Sequence, residues 1–378
     1  MQIWHILEQN TAPMKILVAL SGGIDSSVVA HLLHEQGHEL IGVRFTLWTD
    51  PLAPALADIL PSKCCNAQTA YRTRMVADAL NIPLHIVSFE DEFKKNVVDP
   101  FLEDHKKGLT PNPCINCNRT MKFGKLLELM EEYGCEKLAT GHYTRVARET
   151  VNDGTDRMIL LEALDGPKDQ SYYLYGLGQN QLQKVMFPLG GMHKEEVFAL
   201  ARHYNIPFDE YYKESQDLCF FPEKTPQEFL KRHLTDAIQP GHIIRRDGTV
   251  VGSHKGLPLY TVGQRHGLGI GGLKIPLEVV AKDASANTLI VTEQHSELLQ
   301  DISLTELHWI SWAPVPDTRI PFEYRTRSLS ARKRGWLNFD GNSARFTFEK
   351  PEHPQAYGQS LVLYRGEEIV GGGVMTAS

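Results

Sequence analysis

The segment SGGIDSS at positions 21–27 contains the residue types that bind phosphate. It follows the apolar run KILVAL and precedes a stretch of helical spacing, VVAHLLHEQG, so a tight turn and a helix N-terminus can face one anion together. Gly22 and Gly23 let the backbone approach phosphate oxygens, the three serines add hydroxyl donors, and Asp25 can hold the Mg²⁺ that accompanies ATP. The segment therefore predicts a pyrophosphate-binding loop that lacks the usual P-loop lysine. The alternative is a glycine-rich turn with a Ser/Asp helix cap.

The six cysteines are a second group with chemical potential. They form an adjacent pair (Cys64 and Cys65), a CxxC motif (Cys114 and Cys117) and two single residues, Cys135 and Cys219. Such spacing is unlike a disulfide framework in a chain of 378 residues, and it predicts a reducing, cytoplasmic setting. We expect the adjacent pair to be structural or merely local in its role, and Cys135, at a helix end, to serve packing.

The CxxC motif lies in TPNPCINCN, a proline-stiffened loop ahead of a helix predicted to begin near Met121 and Lys122. A cysteine just before a helix N-terminus has a stabilised thiolate. Cys219 lies far along the chain in ESQDLCFF. Two distant thiols in one pocket could carry sulfur and then close a disulfide. The alternative for Cys114 and Cys117 is half of a structural metal site, but no second CxxC or histidine pair at zinc spacing completes it.

Alternating strands and helices must position these groups. The runs KILVAL, ELIGVRF, LHIVSF and EKLATG are separated by helical stretches, which predicts an α/β domain with a parallel sheet covered on both faces. The rhythm weakens near Glu214, and from Gly241 short β-type runs predict a small β-containing module. After Asp301, short strands and turn signals predict a β-barrel or sandwich. We expect domains at 1–222, 223–297 and 298–378.

Composition and charge narrow the class of protein. Hydrophobic residues make up 42% and charged residues 22%, which is typical of a soluble globular protein with two or three domains at this length. No apolar stretch approaches the roughly 20 residues of a membrane helix, and residues 1–13 lack the features of a signal peptide. The net charge of −7 argues against a protein that coats nucleic acid everywhere, but it allows one basic face.

Basic residues concentrate late in the chain. They surround Tyr324 and Trp336 and comprise Arg319, Arg325, Arg327, Arg332, Lys333 and Arg334. Such a stripe can neutralise nucleic-acid phosphates on one face of a β-module, and the alternative is an ordinary solvated strand face.

Ordered motifs connect these features to a known family. SGGIDSS resembles the PP-loop ATP pyrophosphatases, which split ATP into AMP and pyrophosphate by adenylating a substrate oxygen. Over nearly the whole chain, the sequence resembles the tRNA-specific 2-thiouridylase family MnmA, through SGGIDSSV, TPNPCINCN, ATGHY, KDQSYYLY, ESQDLCFF, YTVGQRHGLGIGG and GQSLVLYRGEEIVGGG. The resemblance implies an N-terminal PP-loop domain, a small central β-containing domain and a C-terminal β-barrel that grips tRNA.

The resemblance also implies a reaction. ATP adenylates the C2 oxygen of the wobble uridine, and sulfur from a persulfide on Cys219 replaces it, because AMP is a far better leaving group than the carbonyl oxygen. Cys117 would be the nucleophile that forms a transient disulfide with Cys219. Cys114 stands where many members carry an aspartate thought to act as acid or base. The implied cofactors are ATP and Mg²⁺, and the implied partners are the tRNAs for Lys, Glu and Gln and a persulfide donor.

Further positions follow from motif matches. The ATP-site matches are Ala19, Leu20, Ser21, Gly22, Gly23, Ile24, Asp25, Ser26, Phe45 and Gly141. The tRNA-contact matches are Asn112, Pro113, Cys114, His142, Lys168, Asp169, Gln170, Tyr324, Arg325 and Gln359. Phe45 lies in VRFTLW, which departs from the family's methionine-containing sequence, yet it could stack on adenine. His142 alone would be read as a structural histidine, and only its place in ATGHY points to tRNA.

Three rival hypotheses remain open. A PP-loop ligase could act on a small molecule, in which case the cysteine motifs would be incidental. A tRNA thiolase could place an iron–sulfur cluster on Cys114, Cys117 and a third thiol. A non-catalytic RNA-binding protein with a vestigial nucleotide fold is the third, and the intact set of Ser21, Asp25 and Ser26 argues against it.

Overall fold

A computed structural model describes residues 12–54, 67–150, 154–208, 218–271, 275–293, 297–341 and 343–377. The chain divides into two compact units, of which the first comprises Met1–Asn96, Cys114–Pro222 and Glu367–Val370. The second comprises Val97–Pro113, Glu223–Gly366 and Gly371–Ser378. Cys64 and Cys65 lie outside the described residues, so their predicted role stays a prediction. Within the described ranges, no helix has the length and apolarity to cross a membrane.

The helices alternate with strands through the first unit, as the sequence predicted. In chain order, the helices described in the two units are α1 Ile24–Glu35, α2 Ala67–Leu80, α3 Glu90–Phe93, the π-helix π1 Lys94–Val98, α4 Asp99–Lys106, α5 Pro113–Asn116, the π-helix π2 Cys117–Lys125, α6 Leu126–Glu132, α7 Gln179–Leu182, α8 Lys194–His203 and α9 Gln227–His233. Short 3₁₀ turns occupy Gly166–Lys168, Ser171–Leu174 and Leu257–Leu259.

The strands form three sheets in the described part of the chain. In chain order they are β1 Lys15–Ala19, β2 Glu39–Thr46, β3 Leu84–Ser88, β4 Lys137–Ala139, β5 Arg145–Thr150, β6 Asp156–Leu161, β7 Val185–Met186, β8 Gly241–Arg245, β9 Val250–His254, β10 Leu277–Asp283, β11 Thr288–Glu293, β12 Leu299–Trp309, β13 Thr318–Arg325, β14 Lys333–Phe339, β15 Ala344–Glu352, β16 Ser360–Arg365 and β17 Glu368–Thr376.

A parallel sheet forms the centre of the first unit. Its strands lie in the order β3-β2-β1-β4-β7, and each neighbouring pair is parallel. Ile16, Leu17 and Val18 of β1 are fully buried, as expected for a central strand covered on both faces. The sheet therefore confirms the predicted α/β architecture. The β5–β6 hairpin, which pairs with Glu368 and Ile369 of β17, was not anticipated from the sequence.

The helix that carries the CxxC motif begins earlier than the sequence analysis predicted. α5 starts at Pro113 and continues into π2 at Cys117. The prediction of a loop that reaches Met121 was therefore wrong for residues 113–120. Proline favours the first helical position because its φ is already helical and it has no N–H to leave unpaired. Cys114 consequently lies in the first helical turn, and Cys117 lies inside the continuous helical segment.

The second unit contains the two β-modules that the sequence predicted. Four strands form a sheet in the order β10-β11-β8-β9, with β11 and β8 parallel. Six strands follow the order β12-β15-β14-β13-β16-β17, and β12 pairs with β17, which closes them into a barrel. On β13, Phe322 and Tyr324 are buried while Arg319 is exposed, the alternation expected of a barrel strand. The C-terminal module is thus a barrel, not a sandwich.

Candidate active site

The predicted phosphate loop connects β1 to α1 at the carboxyl edge of the parallel sheet. Gly22 has φ +78°, and a Cβ at this position would lie 2.1 Å from the carbonyl oxygen of Thr69 on α2. Only glycine fits here, because the conformation is left-handed and α2 packs directly against the loop. Because Gly22 has no side chain, backbone groups form the outer side of the loop at this position. Backbone N–H groups in such a turn bind phosphate well.

Hydroxyl groups hold the loop from within. Ser21 Oγ lies 3.1 Å from Ser26 Oγ and accepts a hydrogen bond of 3.2 Å from the backbone N–H of Gly23. Ser27 is buried, and its hydroxyl donates to the carbonyl oxygen of Gly23 at 2.9 Å. The Ser26 hydroxyl donates to the same carbonyl oxygen at 3.1 Å, so both hydroxyls are bonded within the first turn of α1. The expectation that the three serines offer hydroxyls to phosphate stays a prediction.

Neighbouring strands bring further predicted ATP-site residues to this edge. Gly141 follows β4, and a Cβ there would lie 3.0 Å from the backbone nitrogen of Ser26. Phe45 is half-buried near the carboxyl end of β2, with its ring centroid 6.2 Å from that of Phe89. The chain proceeds from β1 to one side of the sheet and later returns to the other side at β4, and ligands of α/β folds bind at such a switch point.

The remaining ATP-site matches support the loop from beneath. Leu20 and Ile24 are buried in the core, and Ala19 ends β1. The backbone N–H of Leu20 donates to the carbonyl oxygen of Val43 at 2.8 Å, which extends the β1–β2 pairing to the start of the loop. These side chains therefore position the loop and do not face its outer side.

Asp25 forms an ion pair that the sequence did not reveal. The ammonium of Lys194, at the start of α8, lies 2.5 Å from Asp25 Oδ1, and the Lys194 side chain is only 7% exposed. The hydroxyl of Tyr143 donates to the same oxygen at 3.0 Å. The Lys194 ammonium also lies 5.5 Å from the Tyr143 ring centroid and 5.0 Å from that of Phe198. A lysine thus stands beside the loop despite the missing P-loop lysine.

His142, next to Gly141, is held in its neutral form. Lys122 on π2 donates to Nε2 at 3.3 Å, so Nδ1 carries the proton and donates to Thr140 Oγ1 at 2.7 Å. Desolvation, and then the charge of Lys122, hold the pKa of His142 well below its ordinary value. Phe123 and Phe187 pack against the ring at 5.4 and 6.1 Å. His142 is therefore a hydrogen-bonding group at neutral pH and not a cation.

The predicted tRNA contacts at 168–170 divide into two kinds. Gln170 Oε1 accepts from the backbone N–H of Tyr143 at 3.0 Å, which ties this segment to the ATGHY strand end. Asp169 is buried and accepts hydrogen bonds from the backbone N–H of Ala163 and from Ser171, so it braces the turn. Lys168 is half-buried at the end of a 3₁₀ turn. Gln170 therefore lies next to the ATGHY segment that carries His142, whereas the hydrogen bonds of Asp169 stabilise its own turn.

Cys117 and Cys219 lie on segments that pack against the same short helix. Cys117 is a buried thiol at the start of π2, and π2 contacts α3. Cys219 is a half-buried thiol, and the adjacent Phe220 contacts Phe93 of α3 edge to face, with 6.0 Å between ring centroids. Both thiol-bearing segments therefore belong to the first unit and contact α3.

In the second unit, Gln359 is tied to the chain just before the CxxC motif. Its side-chain amide donates to the carbonyl oxygen of Thr110 at 2.7 Å, and the backbone N–H of Thr110 donates to the carbonyl oxygen of Tyr357 at 2.8 Å. These bonds fix the chain immediately before Asn112 and Pro113. Three predicted tRNA-contact positions thus lie close together, although 249 residues separate Gln359 from Thr110.

The late basic residues do not form one uniform stripe. Tyr324 is 2% exposed in the barrel core, and its hydroxyl donates to Glu352 at 2.9 Å. Arg325 lies over the buried ring of Tyr364 at 5.2 Å. Arg332 and Lys333 form ion pairs with Glu323 and Glu352 respectively. The remaining members of the set, Arg319, Arg327 and Arg334, are exposed.

This distribution corrects the sequence interpretation of the basic stripe. Tyr324 is a core residue because β13 directs alternate side chains into the barrel, and burial raises the pKa of its hydroxyl. Acidic neighbours neutralise two of the basic side chains, so the exposed arginines carry most of the positive potential of this face.

Comparisons with known proteins match the whole described architecture. Residues 14–223 match the model of the tRNA methyl transferase HUP domain, residues 227–293 that of the tRNA methyl transferase PRC-barrel domain, and residues 299–375 that of the aminomethyltransferase beta-barrel domain. The tRNA-specific 2-thiouridylase MnmA of Geobacter metallireducens is 39% identical over 97% of this chain and 98% of its own length. The chain belongs to the MnmA family.

Other members of the MnmA family are similarly close. The protein of the same name from Geotalea uraniireducens is 38% identical over 97% of this chain and 96% of its own length. Among solved structures, NMN synthetase from Francisella tularensis covers 60% of this chain and 78% of its own, with 14% identity and a TM-score of 0.33. A likeness at that score carries no argument about function.

The described residues of this MnmA family member do not hold a preformed metal cage. Across the described ranges, no three His, Cys, Asp or Glu side chains are grouped to bind a metal ion. Asp25 is the carboxylate beside the phosphate loop, and Mg²⁺ that arrives on a triphosphate uses only one or two protein carboxylates. The donor set therefore fits Mg²⁺ bound with ATP.

Proposed function

We propose that this protein is an ATP-dependent tRNA 2-thiouridylase that replaces the C2 oxygen of the wobble uridine by sulfur. One observation carries the proposal: the phosphate loop with its Lys194–Asp25 ion pair and the two thiol segments at α3 belong to one compact unit. The name of these relatives, tRNA-specific 2-thiouridylase, supports the same reaction. In this proposal, one scaffold carries both the activation site and the sulfur-transfer site.

The activation step uses the loop residues. Uridine O2 attacks the α-phosphorus of ATP, the bond to the β-phosphate oxygen breaks, and pyrophosphate leaves. The backbone N–H groups of the loop, the N-terminus of α1 and the Lys194 ammonium bind the negative charge that accumulates on the leaving group. Asp25 would hold Mg²⁺, which neutralises phosphate charge when bound. Phe45 and Gly141 border the adenosine.

The transfer step uses the two thiols. The terminal sulfur of a Cys219 persulfide bonds to C2 and displaces AMP. The Cys117 thiolate then attacks Cys219 Sγ, which forms the Cys117–Cys219 disulfide and leaves the second sulfur on C2 as the thiocarbonyl. A protein persulfide donor reloads Cys219 after a thiol reductant has opened the disulfide. For Cys114, in the first turn of α5, the proposed role is to move a proton at the target base.

For tRNA recognition we propose contacts in each unit. In the first unit, His142, Lys168 and Gln170 are the candidates, with Asp169 bracing their segment. In the second unit, Asn112, Pro113 and Gln359 would hold the displaced base, and Arg325 and the exposed barrel arginines would meet phosphates. Tyr324 supports the barrel from its core. The expected substrates are the tRNAs for Lys, Glu and Gln, in the cytoplasm.

We also propose domain boundaries at 1–222, 223–297 and 298–378. The three family models, which match 14–223, 227–293 and 299–375, support these boundaries. The segment 97–113 clusters with the second unit, so the catalytic domain as defined by sequence is not one spatial cluster.

One incubation tests the proposed function. The protein is mixed with wobble-uridine tRNA, ATP, Mg²⁺ and a persulfide donor, and the tRNA nucleosides are analysed by mass spectrometry. We expect 2-thiouridine and tRNA-dependent release of pyrophosphate. A methylated nucleoside, or ATP consumption that ignores tRNA, would overturn the proposal. Stoichiometric iron in anaerobically purified protein, with thiolation that depends on it, would replace the persulfide by an iron–sulfur cluster.

A further inference from the structure

Two buried arginines outside the phosphate-loop motif bind the carbonyl groups of its first two residues. Arg44 on β2 and Arg72 on α2 are each 4% exposed. Arginine is rarely buried, because its charge must then be matched by hydrogen bonds. The acceptors of these two guanidinium groups include consecutive peptide units, those of Ser21 and Gly22.

Arg72 connects the loop to the chain beyond α8. Its Nη1 donates to the carbonyl oxygen of Gly22 at 2.6 Å, and its Nε donates to the carbonyl oxygen of Pro207 at 2.8 Å. The planar guanidinium offers its donors in fixed directions, so the two bonds set the position of Gly22 relative to Pro207. Because the donor carries a positive charge, the bond to Gly22 is stronger than one between neutral groups.

Arg44 connects the loop to α2. Its Nη1 donates to the carbonyl oxygen of Ser21 at 3.1 Å and to Thr73 Oγ1 at 3.2 Å, and its Nη2 donates to Thr69 Oγ1 at 3.0 Å. The hydroxyl of Thr73 donates in turn to the carbonyl oxygen of Thr69 at 2.9 Å. Arg44 is therefore held by one turn of α2, the same turn that packs against Gly22.

Because peptide groups are planar, these hydrogen bonds also set the direction of the neighbouring N–H groups. In a trans peptide the carbonyl and the following N–H point in opposite directions. When the Ser21 carbonyl faces Arg44, the N–H group of Gly22 faces the opposite side, where a phosphate would bind. When the Gly22 carbonyl faces Arg72, the N–H group of Gly23 points away from Arg72 and donates to Ser21 Oγ at 3.2 Å, which fixes that hydroxyl in the loop. The two positive charges also polarise these peptide units in the direction that strengthens anion binding.

We propose that Arg44 and Arg72 are positioning residues that hold the phosphate loop in its anion-binding conformation. This inference rests on the proposed use of ATP by the loop. Neither arginine touches the ligand. Arg44 acts through the peptide whose Gly22 N–H donates to the phosphate, and Arg72 acts through the peptide whose Gly23 N–H positions the Ser21 hydroxyl. The two arginines supply from β2 and α2 part of the positive charge that the missing P-loop lysine would have supplied directly.

The test measures Mg·ATP binding to the full-length protein by calorimetry. The variants are Arg72→Met and Arg44→Met, which keep side-chain length and remove donors and charge. We expect each to weaken ATP binding by about tenfold or more, the effect of losing one charged hydrogen bond. The KM for ATP in pyrophosphate release should rise similarly, with a smaller change in kcat. Binding of tRNA should stay within about twofold of the wild type.

Matched controls separate the role in the loop from general stability. Arg74→Met changes an exposed arginine on the same helix and should leave ATP binding unchanged. Arg72→Lys keeps the charge and one donor, so it should recover part of the affinity lost in Arg72→Met; no recovery contradicts the proposal. Since the two arginines hold different carbonyls, unfolding of one methionine variant leaves the other decisive.

The outcomes also distinguish this inference from the proposed function. Folded methionine variants that bind ATP as tightly as wild type would overturn the positioning role while the proposed function stands. Wild-type protein that fails to bind Mg·ATP would overturn both.

Discussion

The ammonium of Lys194 lies 2.5 Å from Asp25 Oδ1, a contact that joins the first turn of α8 to the first turn of α1 across 169 residues. The pair sits beside a glycine turn whose backbone is shaped for anions. We expect the ammonium to contact a triphosphate when Mg²⁺ occupies that carboxylate. The pair therefore lies where we predict the phosphate end of the site.

Replacement of Lys194 by Met should slow pyrophosphate release by about 10²-fold, because one preorganised charge next to the leaving group is lost. Asp25→Asn should have at least as large an effect, while both variants should bind tRNA normally. The measurement is tRNA-dependent pyrophosphate release. Lys184→Met, which removes an exposed ion pair with Glu131, is the control. Wild-type rates for the Lys194 variant would refute this role.

Cys117→Ser and Cys219→Ser should each abolish formation of 2-thiouridine and leave pyrophosphate release intact, because the thiols act after activation. Nucleoside analysis and a pyrophosphate assay on the same samples separate the two steps. Cys135→Ser is the control, since burial raises the pKa of the Cys135 thiol and keeps it protonated. A Cys219 variant that still thiolates tRNA would eliminate the persulfide route.

The exposed barrel arginines should determine the salt dependence of tRNA binding. Arg327→Gln and Arg334→Gln should each reduce the slope of log K against log salt concentration by about 1, as expected for loss of one phosphate contact. Lys333→Gln should change the slope less, because Glu352 already neutralises this ammonium at 2.6 Å. Filter binding across a salt series gives the slopes, and equal slopes for all variants would place the tRNA elsewhere.

His105 should make the protein less stable in mild acid. Burial, and then the charge of Lys282, lower the pKa of His105 to about 3, from 6.5 in the unfolded chain. Below pH 6.5, the unfolded state therefore binds a proton at His105 that the folded state does not bind. The free energy of unfolding consequently falls as pH decreases. Between pH 7 and pH 5 this site should cost about 2 kcal/mol.

His105→Gln should remove that part of the pH dependence, as measured by urea unfolding at the two pH values. His203→Gln, at an exposed histidine on α8, is the control and should unfold with the pH dependence of the wild type. If wild type and His105→Gln lose equal stability between pH 7 and pH 5, His105 is protonated in the folded protein.

Local sequence patterns predicted much of this fold, because the pattern that identifies each strand or turn lies within a few residues. The apolar runs of β1 to β4 and the glycine turn at 22 specified a parallel sheet with a ligand edge, and the structure confirms that sheet. The start of the CxxC helix was missed, since Pro113 was read as a loop residue when proline is equally suited to a first helical position. Tyr324 was wrongly assigned to the exposed basic face, because the many basic residues around it hide the alternation of inward- and outward-facing side chains along β13.

The sequence by itself determined the chemistry available to this protein: a phosphate loop of glycines and serines, two separated thiols and an α/β scaffold followed by β-modules. Tertiary structure alone decided which distant groups serve that loop. The loop contacts Lys194 of α8, Arg44 of β2 and Arg72 of α2, and no local sequence pattern predicts these contacts. The physical reason is that a buried charge must pair with groups that lie near it in the folded protein. Residues far apart in the sequence can be neighbours in the fold, so local sequence patterns do not identify such partners.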